Sequence, residues 1–118
     1  MARSQEDKAA SHERIVKIAA RRMREEGTGA PGVADIMRAA GLTHGGFYKH
    51  FDSREDLVAE AVERAFADNA RGSARYETLA DYADWYLSPA HRDRPGTGCG
   101  IAAFSADVAR DAVKALAR

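Results

Sequence analysis

A chain of 118 residues has room for one domain, or for a small domain and part of another, and can bury roughly two-thirds of its surface. Its polar, charged start and the lack of any long apolar run argue against a signal peptide and a membrane span, while a single cysteine, Cys99, excludes an internal disulfide and suits a reducing cytoplasm. Net charge is zero, yet residues 1–54 carry 10 basic and 7 acidic side chains, a net +3, and residues 55–118 carry 8 and 11, a net −3, so the front half is the better match for phosphate.

Residues 9–26 read as a helix, with Ile15, Ile18, Ala19 and Met23 at helical spacing and Gly27 placed to end it. GTGAPG, 27–32, is a breaker cluster and hence a loop. A short second helix, about 33–40, carries Val33, Ile36, Met37 and Ala40 on one side before Gly41 breaks it. Thr43 is suited to cap a third short helix, 44–50. Asp52 and Ser53 break and cap again, and Glu55 and Asp56 fill the first turn of a fourth helix, 54–70, whose stripe is Leu57, Ala61, Val62 and Ala65. Residues 74–87 place Tyr76, Leu79, Ala83, Tyr86 and Leu87 on one helical face, with Tyr82 and Trp85 at its edge. A Pro- and Gly-rich loop, 88–100, precedes a last amphipathic helix, 101–116, through Ile101, Phe104, Val108, Ala112 and Leu116. No strand-like alternation occurs, so the expected fold class is all-α.

The stretch GLTHGGFYKHF, 41–51, concentrates the chemistry. Two short helices joined by a tight turn at Gly41 make a helix-turn-helix. Leu42 and Phe47 are placed to plug the core between them. Gly45 and Gly46 cost a short helix roughly 1 kcal/mol each relative to alanine, which close approach of the backbone to a bulky ligand would justify. His44, Tyr48 and Lys49 on the outer face are donors suited to base edges and phosphate oxygens. Thr43 can cap the helix and donate to phosphate; His44 reaches a base edge or is simply exposed.

With those residues in place, VADIMRAAGLTHGGFYKHFDSREDLVAEAV resembles the DNA-binding region of TetR/AcrR-type bacterial transcriptional regulators, over about Ile15 to Val62. The resemblance implies an N-terminal three-helix DNA-binding domain, residues 1–53, whose third helix enters the major groove of double-stranded DNA. It also implies that residues 54–118 comprise a linking fourth helix and part of a helical domain that binds a small-molecule effector and dimerises. On this basis Tyr48 contacts a phosphate, Lys49 a phosphate or base, and Arg54, opening the fourth helix, a further phosphate. HRDRPGTGCGIAAFSADVAR resembles the start of the regulatory domain in one branch of the family. Gly32 stands where the family often has a capping Ser or Thr, and Met37 where a small alanine is common. Family chains usually continue for several more helices, including those of the homodimer interface, so the homodimer is an open expectation for this shorter chain.

Tyr82, Trp85, Tyr86 and Phe104 either line an effector pocket or form plain core. His12, His44, His50 and His91 include no i, i+4 pair and Cys99 has no second cysteine, so neither metal nor cofactor is expected. No nucleophile–base or paired-carboxylate pattern points to an enzyme. The expected function is a cytoplasmic DNA-binding transcriptional regulator, a ligand-responsive repressor or a shortened form of one. The alternative is an interaction module that pairs with a full-length relative without binding an operator itself.

Overall fold

The long first helix organises everything that follows. In the computed structural model, which describes residues 2–117 and the side chains of 4–72, 74–107 and 110, α1 runs from Ala2 to Glu26. It starts well before residue 9 because nothing in ARSQEDK breaks a helix. Ile15, Val16, Ala19, Ala20 and Met23 form its buried stripe. That stripe packs chiefly on α3 (Arg54–Ser73), where Leu57, Ala61 and Ala65 are buried, and on a short 3-10 turn at Pro95–Thr97. The small side chains of Ala19, Ala20, Ala61 and Ala65 let α1 and α3 approach closely along this seam. Fully burying a side chain such as Ile15 or Leu57 contributes about 1.5–3 kcal/mol.

Gly27 ends α1 at φ +93°, its N–H bonding to Met23 O at 2.8 Å. The loop to 32 leads into α2 (Val33–Ala39), whose N-cap, Gly32, offers no side-chain bond. At the other end Gly41 adopts φ +78°, its N–H bonds to Arg38 O at 3.0 Å, and the N–H of Leu42 bonds to Met37 O at 2.9 Å. This pair of bonds is a Schellman closure, which needs a left-handed residue where Gly41 stands. The expected third helix is a 3-10 helix, His44–Lys49, rather than an α-helix to residue 50; it is called the recognition turn below. Ser53 then caps α3, accepting from Asp56 N–H at 3.2 Å.

The second half departs more from expectation. The helix over 74–87 is shorter, α4 (Leu79–Tyr86), because the Thr78 hydroxyl accepts from Asp81 N–H at 3.1 Å and sets a new start. The 88–100 loop contains a further short helix, α5 (Pro89–Asp93), capped by Ser88 with Pro89 at the first position. The inward face of α4 also differs: Leu79 and Leu87 are 82% and 81% exposed, while Tyr82, Trp85 and Tyr86 are half-buried. On α6 (Gly100–Ala117), Phe104 is buried at 1% exposure, edge-on to Phe66 of α3, but Ile101 points outward. Val108, Ala112 and Leu116 lie outside the described side chains. Regular structure among the described residues is entirely helical, and none of these helices is long and apolar enough to cross a membrane.

Candidate nucleic-acid interface

Phe47 sets the orientation of the recognition turn. Its ring is 1% exposed and stacks on Phe51 at 5.3 Å, inside the cluster that includes Ile36, Met37 and Leu57. Pinning Phe47 inward forces its neighbour outward, and Tyr48 is 70% exposed, its ring edge-on to Phe47. His44, Gly45 and Lys49 are exposed with it. Thr43, His44, Gly45, Tyr48 and Lys49 are therefore all solvent-exposed around a six-residue turn, Thr43 and Lys49 lining one cleft with Gly46.

Three details of this region bear on residues of the expected interface. Thr43 occupies the N-cap with extended φ −84° and ψ 153°, but its side chain makes no cap bond; the turn is held instead by the Thr43 carbonyl accepting from Gly46 N–H at 3.1 Å. Gly46 does not share the outer face with Gly45. It is half-buried, and a Cβ there would stand 3.5 Å from Thr43 Oγ1 and 3.8 Å from Met37 Cε, whereas one on Gly45 would meet nothing within 4 Å. Arg54 turns back into the protein, donating from Nη2 to Thr28 O at 2.6 Å and Pro31 O at 3.0 Å. It clamps the 27–32 loop against the start of α3.

His50 closes the turn from beneath. Its Nδ1 is buried with no hydrogen-bond partner, and its ring lies 5.7 Å from that of His12. Burial, followed by the positive charges of His12, Lys8 and Lys49, pushes the His50 imidazolium pKa down. His12 stacks on Phe51 at 4.6 Å and donates from Nε2 to Glu60 Oε2 at 2.7 Å, tying α1 to α3 under the recognition turn.

Away from this face, Tyr82, Trp85 and Tyr86 join Tyr76 and His91 in an aromatic cluster with ring separations of 4.6–6.2 Å. A cavity of about 260 Å³ beside it is lined by Trp85, Tyr76, Asp68, Asn69 and Arg75 among others. Phe104 does not reach this cluster; it belongs to the core shared by α1, α3 and α6. His91 accepts from Cys99 N–H through Nε2 at 3.1 Å and donates from Nδ1 to Tyr86 O at 2.7 Å. Both ring nitrogens are thus spent on backbone groups, in the neutral tautomer that donates from Nδ1, and the ring does not serve as a base for the Cys99 thiol.

Sequence reasoning missed the polar ties between the two halves. Arg24, 9% exposed, donates from Nε to Gly96 O at 2.7 Å and faces Asp68 at 3.7 Å; burial pushes its pKa down. Asp107 of α6, 8% exposed, accepts from Thr28 N–H at 3.1 Å. Spacing along the chain signals neither, since the partners lie more than forty residues apart. Local pairs such as those of Asp68 with Arg64 and Arg71, and of Asp107 with Arg110, do follow the i, i+4 and i, i+3 rule.

A helix-turn-helix closed at Gly41, with a recognition turn anchored by Phe47 and a long helix capped by Ser53 behind it, defines a TetR-type regulator domain. Residues 15–61 match the family model for bacterial regulatory proteins of the tetR family, which makes this part of the chain a TetR-type DNA-binding region. It is 43% identical over 61 residues to the HTH-type transcriptional repressor KstR2 of Rhodococcus jostii, a stretch that is 52% of this chain and 29% of that relative. It is 34% identical over 98 residues to the HTH-type transcriptional repressor KstR2 of Mycolicibacterium smegmatis, covering 83% of this chain and 43% of the relative. The chain thus spans less than half the length of these curated relatives.

Proposed function

We propose that this protein is a DNA-binding transcriptional repressor that reads the major groove through the recognition turn His44–Lys49. The observation that carries this reading is the inward anchor Phe47 beside an outward Tyr48 at 70% exposure, in a TetR-type DNA-binding region. Lys49 neutralises a backbone phosphate, Tyr48 and Thr43 donate to phosphate oxygens, and His44 meets a base edge. Gly45, with open space where a Cβ would stand, lets the backbone approach the groove. The two relatives named as repressors support the sign of regulation. The cavity beside Trp85, which sets Tyr76 and Trp85 against Asp68, Asn69 and Arg75, suits a small effector that carries polar groups, and reading a palindromic site would pair two chains.

A second reading, an interaction module that pairs with a full-length relative, is favoured by the exposed Leu79, Leu87 and Ile101. Duplex titration by fluorescence anisotropy separates the two. As a DNA reader, the protein loses affinity on all sequences with Lys49→Ala, and the log–log salt slope flattens by about 0.9 because one phosphate is no longer neutralised. An unchanged slope for Lys49→Ala would falsify the phosphate role of Lys49. A protein that binds no duplex but captures a full-length relative supports the second reading.

A further inference from the structure

An open cleft of about 520 Å³ separates the first turns of α1 from the recognition turn. Ser4, Lys8 and Ser11 line it from α1, and Thr43, Lys49 and His50 from the opposite wall. We propose that this cleft seats a second DNA-backbone phosphate between the ammonium groups of Lys8 and Lys49, so that the start of α1 extends the grip of the recognition turn. The inference rests on the proposed DNA binding and adds a residue, Lys8, that lies outside the helix-turn-helix and 41 positions from Lys49 in sequence.

Charge and chemistry both fit a phosphodiester. Many arginines of the chain are spent on carboxylates: Arg21 on Glu25, Arg38 on Asp35, and Arg64 on Asp68 and Glu13. Lys8 and Lys49 instead face a shared open space. One carboxylate, that of Asp7, also lines the cleft. Two ammoniums against it leave a net +1, which balances the single negative charge of a phosphodiester. The hydroxyls of Ser4, Ser11 and Thr43 supply neutral donors for the remaining phosphate oxygens. His50 reports the unbalanced field from below, since after burial the positive charges of His12, Lys8 and Lys49 lower its pKa. An anion seated in the cleft offsets that field and raises the pKa of His50.

The test is duplex binding between 50 and 200 mM salt for the parent, Lys8→Ala, Lys8→Arg and Lys17→Ala. Lys17 is exposed on the same helix, and nine residues at 100° each turn it about half a circle away from Lys8, so it controls for net charge. Lys8→Ala is expected to flatten the log–log slope by about 0.9, making the affinity drop across that salt range about 3.5-fold smaller. Lys8→Arg and Lys17→Ala keep the parent slope. Titration of the His50 ring by NMR is expected to give a higher pKa in the duplex complex than in the free protein, with the rise reduced in Lys8→Ala. A parent-like slope for Lys8→Ala, equal losses for Lys8→Ala and Lys17→Ala, or an unmoved His50 overturns the inference while the recognition-turn reading stands. A parent that binds no duplex at any salt overturns both.

Discussion

Phe47 and Tyr48 are chemically close and adjacent, yet one is 1% exposed and the other 70%. The difference is imposed by a turn whose inner ring is stacked between Phe51 and the α2 core, leaving the next side chain nowhere to go but outward. The glycines divide in the same way. Gly45 has a negative φ and open space at its Cβ position, so Gly45→Ala is expected to raise stability by about 0.4–1 kcal/mol through the unfolded chain while weakening duplex binding. Thermal melts and anisotropy measure the two effects; unchanged binding removes the close-approach role of Gly45. Gly46→Leu, by contrast, drives its side chain toward Met37 and should lower stability by about 1–3 kcal/mol through overpacking.

His50 makes stability depend on pH. Its folded pKa is depressed, by burial first and then by His12, Lys8 and Lys49, so the folded state favours the neutral ring. Glu60 faces the neighbouring His12 and not the buried Nδ1 of His50. The unfolded chain takes up the proton first, near the ordinary value of about 6.5. The contribution is therefore fully present above that pH and lost as pH falls through it toward the lower folded pKa. Between pH 7.5 and 5 the melting temperature of the parent should drop further than that of His50→Phe. Parallel curves for the two proteins would remove His50 as the titrating group.

At the scale of elements, the 27–32 loop is held from two sides. Arg54 at the head of α3 takes two of its carbonyls, and Asp107 of α6 takes the Thr28 N–H. α2 begins directly after this loop, so its placement, and that of the recognition turn behind it, depends on both. Arg54→Met leaves two carbonyls without their charged donor and should cost about 1–3 kcal/mol. Duplex affinity is expected to fall with it, but the salt slope should keep the parent value, because a loop clamp releases no counterion. A slope reduced by about 0.9 with an unchanged melting temperature would instead make Arg54 a phosphate contact, as the family resemblance implies.

The whole molecule is flatter than a typical domain of its length. Its radius of gyration is 16.1 Å and its thinnest extent 21 Å, against about 13.5 Å for the radius expected of a chain this long. The core is a single seam of α1 on α3 with α2, the recognition turn and Phe104 packed around it. Leu79, Leu87 and Ile101, all in the second half of the chain, stand at 82%, 81% and 61% exposure. Large apolar side chains left in water favour association. Sedimentation across a concentration series should show reversible oligomers, reduced by Leu79→Lys with Ile101→Lys. A monodisperse monomer throughout would refute this.

Much of the first half is legible in the sequence because its signals are local. Gly41 after an apolar helix and Ser53 before two acids act within a few residues, through backbone conformation and capping, and the periodicity of Ile15, Ala19 and Met23 marks a stripe wherever that helix docks. The second half is less legible for identifiable reasons. Thr78 with Asp81, and Ser88 with Pro89, are start signals that the apolar spacing overruns, and that spacing points to the leucines of α4 although its aromatic residues are the ones with neighbours to pack on. The sequence alone determined the all-α class, the helix-turn-helix and the outward set around Tyr48 and Lys49, since each follows from short-range geometry. Only the tertiary structure decided that Gly46 faces Met37, that Arg54 clamps a loop, that Phe104 is core, and that Lys8 stands across a cleft from Lys49. Those facts depend on which elements meet, and contacts between residues tens of positions apart leave no periodic trace in the chain.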